Sequence, residues 1–190
     1  MANLKKAVHA PFTLHDELLR QISVQENLAL KGKPAEIKAR MNSLTESRLI
    51  DALYRASGNG VKSQLLVRGI CSLRPGVSGL SENIRVVSVL GRFLEHSRIF
   101  AFGSGSEQIV YLSSADWMPR NMYHRVEVAV PVLDDQLRKR VVKESLDVYF
   151  RDDSYAWELQ ANGSYKRRKP RLGYSAQQDL LEKLNLRRIL

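Results

Sequence analysis

Between Thr13 and Gly69 the chain alternates twice between a helical and an extended pattern, and that order constrains the fold more than any other feature. LHDELLRQISVQENLALKGK places Leu14, Leu18, Leu19 and Ile22 near one stripe behind Thr13 and Asp16, and Gly32 and Pro34 end it. AEIKARMN then alternates as a strand through Ile37, Ala39 and Met41. Ser43 and Thr45 are placed to cap a second helix, ESRLIDALYRASGNG, which closes on Gly58-Asn59-Gly60; VKSQLLVRG follows as a buried strand. Helix, strand, helix, strand in this order predicts parallel pairing through a right-handed crossover, and hence an α/β fold.

ICSLRPGVSGLSEN, with Pro75, Gly76 and Gly79, reads as a loop at the C-terminal end of a strand, where α/β sheets tend to place ligands. Short strands follow quickly: IRVVSVL, RIFAF, QIVYLSS and RVEVAVPV. DDQLRKRVVKESLDVYFRDD is an amphipathic helix with acidic residues in its first turn. WELQANGSYKRR is a hairpin around Asn162-Gly163, and a last amphipathic helix is expected over AQQDLLEKLNLRRIL. The expectation is a mixed, mostly parallel sheet flanked by helices. Its parts are a helical lead-in over 1–34, an α/β domain over 35–152, and a hairpin-and-helix extension over 153–190.

With 190 residues and 44% hydrophobic content the chain can bury one good core. Thirty Lys and Arg against twenty Asp and Glu give a net charge of +10, which suits a polyanionic partner but also suits a merely basic soluble protein. The single cysteine, Cys71, excludes an internal disulfide framework and points to a reducing cytoplasm. No apolar run approaches the about 20 residues that span a bilayer, and MANLKKAVHAPF lacks the apolar stretch of a secretory signal.

The segment GRFLEHSRIFAFGSGSEQIVYLSSADWMPRN carries the strongest chemical signal. Arg92, Glu95 and Arg98 bracket His96 at the start of one strand, and the next strand ends in Ser113-Ser114-Ala115-Asp116. An imidazole can attack phosphorus or move a proton, and a guanidinium holds phosphate oxygens by paired charge-assisted hydrogen bonds. The residues alone leave His96 open between a structural and a phosphate-handling role. His9 and His15 read as ordinary packing or surface residues, and His124 as incidental. Arg68, Arg74, Arg85, Arg92, Arg98, Arg120 and Arg125 all fall at strand ends or in loops, where they are expected to converge on an anion. The run KRRKPR at 166–171 reads instead as a solvated face. Walker and dinucleotide fingerprints are absent, and no His, Cys and carboxylate set offers a metal site.

KARMNSL, LLVRGICSLRPGVSGLSENIRVVSVLGRFLEHSRIF and YLSSADWMPRN closely resemble the C-terminal catalytic region of the bacterial polyphosphate kinase family, over nearly the whole chain. That resemblance implies reversible transfer of the terminal phosphate of ATP to polyphosphate. It also implies a phospholipase D-like fold for 35–152, the second of two such domains that face a shared cleft. The generic motif there is His-x-Lys, a later Asp and a Gly-Ser-x-Asn turn. This chain has His96-Ser97-Arg98, lacks the Asp, and has Ser113-Ser114-Ala115-Asp116 for the turn.

By the same resemblance Arg68 and His96 contact the ATP phosphates, while Arg74, Arg85, Arg92, Arg98, Arg120, Ser114 and Asp116 are further candidates for phosphate or polyphosphate contact. The histidine that becomes phosphorylated, and the positions linked to Mg2+, lie in the preceding domain. The chain is therefore read as part of a longer homo-oligomeric cytoplasmic enzyme with a peripheral membrane association, with Met1 and Ala2 as an added start. Its expected partners are ATP, ADP and polyphosphate together with the missing N-terminal domains, and the part alone is expected to be inactive. The competing reading is a polyanion-binding module without chemistry. Nucleic acid is not expected, because there is no aromatic ladder for base stacking.

Overall fold

The computed structural model describes residues 6–186; Met1, Ala2 and the end of the expected last helix, 187–190, lie outside the described residues. The elements are β1 (Val8–Ala10), α1 (Leu14–Leu30), β2 (Glu36–Met41), α2 (Ser47–Gly58), β3 (Lys62–Val67), β4 (Ile84–Val89), β5 (Arg98–Phe102), β6 (Ile109–Ser113), α3 (Pro119–Tyr123) and β7 (Glu127–Pro131). There follow α4 (Asp135–Val142), which runs through a π-helical turn (Lys143–Asp147) into α5 (Val148–Arg151), and then β8 (Ala156–Leu159), β9 (Tyr165–Arg167) and α6 (Ala176–Leu186). One sheet takes all the described strands in the order β1-β7-β6-β5-β2-β3-β4-β8-β9.

The helix–strand alternation produces the expected parallel pair, β2 with β3, and β4 extends it. Every other pairing is antiparallel, so the sheet is mixed but the parallel majority expected from the sequence is corrected. For β5 and β6 the reason is connection length. The Gly103–Ser106 turn between β5 and β6, with Gly103 and Gly105 at φ 79° and 68°, is too short for a crossover and closes a hairpin. The lead-in supplies edge strand β1 and core helix α1, and the extension supplies β8 beside β4, so both ends build on the same sheet.

Side chains alternate across the pleat and split the core into two layers. On one face Ile37, Ala39, Leu65, Phe100 and Phe102 pack with Leu14, Leu18 and Ile22 of α1 and Leu49 and Leu53 of α2. On the other, Leu66, Val87, Ile99 and Ala101 meet Val142, Leu146, Val148 and Phe150, with Ala176 of α6. Each such buried Val, Leu, Ile or Phe side chain contributes roughly 1.5–3 kcal/mol. These two layers fix the strand ends that carry polar groups.

The cap of α2 differs from expectation. Glu46, rather than Ser43 or Thr45, accepts the Leu49 N–H at 2.7 Å. The residues before it are held extended, with the Thr45 and Glu46 N–H groups bonded to the Trp117 carbonyl. Ser43 and Thr45 therefore lie ahead of the first turn. The basic run is also less solvated than expected: Arg168 is mostly buried and bonds Glu158 and the carbonyls of Phe150 and Asp152.

Candidate active site

Strand direction decides which residues meet. β2 and β3 run in parallel, so Asn42 and Arg68, which follow their last residues, sit at one end of the sheet. β5 is antiparallel to β2, which brings its beginning, His96 to Arg98, to that same end. β6 is antiparallel to β5, so the turn leading to Asp116 arrives there too, with Arg98 opposite Ser113. Four strands far apart in sequence thus deliver polar side chains to one edge.

A continuous chain of hydrogen bonds joins them. Arg68 Nε donates to Asn42 Oδ1 at 2.9 Å. The Asn42 N–H donates to Asp116 Oδ1 at 2.6 Å, and the Ser43 N–H reaches the same oxygen at 3.4 Å. Arg98 holds both Asp116 oxygens, through Nε at 3.2 Å and Nη2 at 3.0 Å. Its Nη1 donates to the His96 carbonyl at 3.1 Å and lies 3.0 Å from His96 Nδ1, while Nη2 lies 3.4 Å from Nε2. A guanidinium can only donate, so a neutral ring accepts from Arg98 through one of these nitrogens and the tautomer decides which. Asp116 is buried and Arg98 nearly so, whereas His96 is exposed. A rigid charged pair therefore supports an accessible imidazole.

Arg92 joins Arg68 in lining an open depression of about 260 Å³ with Val89, Leu90 and Phe93. Ligand sites usually measure about 300–1,000 Å³, so this hollow is small for a nucleotide. The other candidates are placed differently. Arg74 donates to the Ala161 carbonyl at 3.2 Å and lies over Gly163, bracing the β8–β9 hairpin. Arg85 pairs with Glu158 near the start of β4, at the opposite end of the sheet. The expected convergence of all the arginines is corrected for these two. Ser114 bonds Glu127 and accepts the Val128 N–H at 3.1 Å, so its hydroxyl closes a turn. Arg120 is exposed on α3, in the segment following Asp116.

Sequence reasoning missed Asn42, which links Arg68 to Asp116; its position immediately after the strand KARM was the available signal. It also missed the buried cluster around His15. His15 Nε2 lies 3.1 Å from Glu46 Oε2, and the Tyr123 hydroxyl donates to Glu46 Oε1 at 2.9 Å. Burial opposes ionisation of Glu46. The Leu49 N–H, His15 and Tyr123 outweigh it and hold the carboxyl below its usual range. Burial pushes the Cys71 thiol up to about 11, which leaves it a poor nucleophile.

Among the described residues no group of His, Cys, Asp or Glu could hold a metal ion. The carboxylates near the site, Asp116 and Glu95, are both engaged by arginines, so the residues present do not fit a Mg2+ centre. Among the described residues, too, no helix is long and apolar enough to cross a membrane.

This architecture is an α/β domain, a mixed sheet flanked by helices, with the fold seen in phospholipase D family members. At 16% and 14% identity, NucT from Helicobacter pylori and Nuc, a phospholipase D family member from Salmonella typhimurium, share its fold with TM-scores of 0.52 and 0.51 over 72% and 73% of this chain and 89% and 88% of theirs. The match to polyphosphate kinases is far closer. A sequence model for "Polyphosphate kinase C-terminal domain 2" matches residues 7–178, and the chain belongs to that family. Polyphosphate kinase from Pseudomonas putida is 51% identical over 96% of this chain and 25% of its own length, and that from Neisseria meningitidis is 48% identical over 90% and 25%. The crystal structure of polyphosphate kinase from Porphyromonas gingivalis superposes with a TM-score of 0.93 at 33% identity, over 98% of this chain and 29% of that one. The chain thus spans about a quarter of the length of these curated relatives.

Proposed function

We propose that this chain forms one wall of the active site of a polyphosphate kinase, which moves the terminal phosphate of ATP reversibly to polyphosphate, and that Arg68 and His96 bind the ATP phosphates. The observation that carries this reading is the bonded chain Arg68–Asn42–Asp116–Arg98–His96, which fixes a guanidinium and an imidazole at one sheet end. Membership of the polyphosphate kinase family supports the substrate class.

Phosphoryl transfer needs positioning and charge neutralisation more than covalent chemistry from the protein. In the proposed sequence, an imidazole of the preceding domain attacks the γ-phosphorus. The bond to the bridging oxygen breaks and ADP leaves; the phosphoryl group then passes to the polymer end. His96 acts from the opposite side, clamping the phosphoryl group or giving a ring proton to a departing oxygen. Arg68 neutralises the developing charge, and Arg92 extends the cationic wall. Mg2+ in the longer enzyme belongs outside this chain, and no step above runs through it. The net charge of +10 favours polyphosphate capture and a peripheral association with acidic membrane surfaces. The single cysteine, Cys71, supports a reducing, cytoplasmic setting.

The test uses a full-length kinase carrying this chain. His96→Ala should abolish most turnover while an ATP analogue still binds, and Arg68→Ala should weaken that binding. Unchanged rates in both variants would contradict the reading. The isolated chain should make no polyphosphate, because half of the site is missing.

A further inference from the structure

We infer that Glu95 is a positioning residue for His96, and that α5 and α6 set the placement of this histidine through it. The inference rests on the function proposed above. His96 is exposed and is preceded by the irregular segment Gly91–Glu95, yet this segment is tied down at several points. Gln177, in the first turn of α6, accepts the Phe93 N–H at 2.9 Å and donates to the Phe93 carbonyl at 2.8 Å, gripping the backbone from both sides. A Cβ on Gly91 would overlap Gln177 Oε1, so only glycine leaves room for this grip.

The same Gln177 amide also bonds Glu95 Oε1. Tyr149 of α5 donates its hydroxyl to that oxygen at 2.8 Å. The other carboxylate oxygen of Glu95 pairs with Arg40 of β2. Arg40 is 5% exposed, lies 4.0 Å over the Tyr149 ring and donates to the Ser145 carbonyl at 3.0 Å within the π-helical turn. A small cavity of about 20 Å³, room for a single water, is lined by Arg40, Arg68, Glu95 and Tyr149 together with apolar side chains of β2, β3 and β4. The clamp therefore abuts the proposed phosphate arginine as well as the histidine.

Three elements thus converge on the residue next to His96. Arg98 holds the ring from behind, while Glu95 fixes the backbone in front of it. Glu95 itself is mostly buried and fully engaged, so it has no free oxygen for substrate. Releasing it should let the segment sample positions in which the imidazole misses the phosphoryl group, a loss in kcat rather than in ATP affinity.

The test is made in a full-length kinase carrying this chain, with Gln177→Ala, Tyr149→Phe, His96→Ala and the double variant Gln177→Ala/His96→Ala. We expect Gln177→Ala to lower kcat about 10-fold with KM for ATP changed less than about threefold. Tyr149→Phe, which keeps the ring on Arg40, should show the same split more weakly. In the His96→Ala background Gln177→Ala should cost nothing further, because the two act through one group. Amide exchange should quicken at Gly91–Glu95 in Gln177→Ala while thermal unfolding moves little. Unchanged kcat in Gln177→Ala, alongside a crippled His96→Ala, would overturn the clamp and leave the function standing. If His96→Ala is itself fully active, the proposed function fails instead.

Discussion

Asp116 should be the residue whose loss most disturbs the site without touching substrate. Its carboxylate accepts two bonds from Arg98 and two from the backbone of Asn42 and Ser43. The side chain of Asp116 is 7% exposed and that of Arg98 14%. Asp116→Ala strands a nearly buried guanidinium without a counter-charge and leaves the Asn42 N–H unpaired. Removing one partner of a buried pair costs about 3–5 kcal/mol. Arg98 keeps the His96 carbonyl and some water, which places this case near the low end, at about 3 kcal/mol. For a domain of this size that corresponds to a fall in Tm of about 6–12 °C.

Urea unfolding of the chain followed by circular dichroism measures the loss directly. Arg98→Met in the Asp116→Ala background should restore part of the stability, because it removes the stranded charge; the cycle should give a coupling of at least about 1.5 kcal/mol. A loss below about 1 kcal/mol for Asp116→Ala, the scale of a surface pair, would refute the view that this pair organises the site.

The depressed carboxyl of Glu46 is charged in the fold at pH values where its unfolded counterpart begins to protonate. Its contribution is complete above the ordinary glutamate value of about 4.3 and fades as pH falls through the lower folded value; Glu46→Gln should flatten the acid limb of a stability–pH curve. With its thiol at about 11, Cys71 should react with iodoacetamide at pH 8 far more slowly than a free thiol of pKa about 8.5, and equal rates would contradict its burial. Leu53→Ala, in the fully buried face of α2, should cost about 2–5 kcal/mol in urea unfolding. Arg85→Ala, at the far end of the sheet, should leave the kinetics of the full-length enzyme within about twofold of the parent.

Much of the fold was legible because the first helices and strands obey strong periodicities. The stripe of Leu14, Leu18 and Ile22 and the alternation of Ile37, Ala39 and Met41 both pack as read. Strand β1 escaped notice because three residues carry no period, and it exists only through pairing with β7. Sheet direction was misjudged beyond β4: the short β5–β6 and β8–β9 connections close hairpins, and the direction of β7 and β8 is set by pairing after longer connections that carry no such signal.

The site was half legible. His96, Arg98 and Asp116 lie in one stretch of sequence, and Arg68 entered by resemblance. Which arginines share an end of the sheet depends on strand direction, so Arg74 and Arg85 were grouped wrongly with them. Asn42 offered only its place after a strand, and Arg40 and Gln177 carried no local signal, because the roles of the three arise from contacts across 26, 105 and 84 positions of sequence.

The most direct test of the central claim is a crystal structure of a full-length kinase carrying this chain, with a non-hydrolysable ATP analogue bound. The account predicts phosphate oxygens within hydrogen-bond reach, about 3.5 Å or less, of both the Arg68 guanidinium and the His96 imidazole, with Arg98 still paired to Asp116. Phosphates bound elsewhere, with Arg68 and His96 facing only solvent, would contradict it.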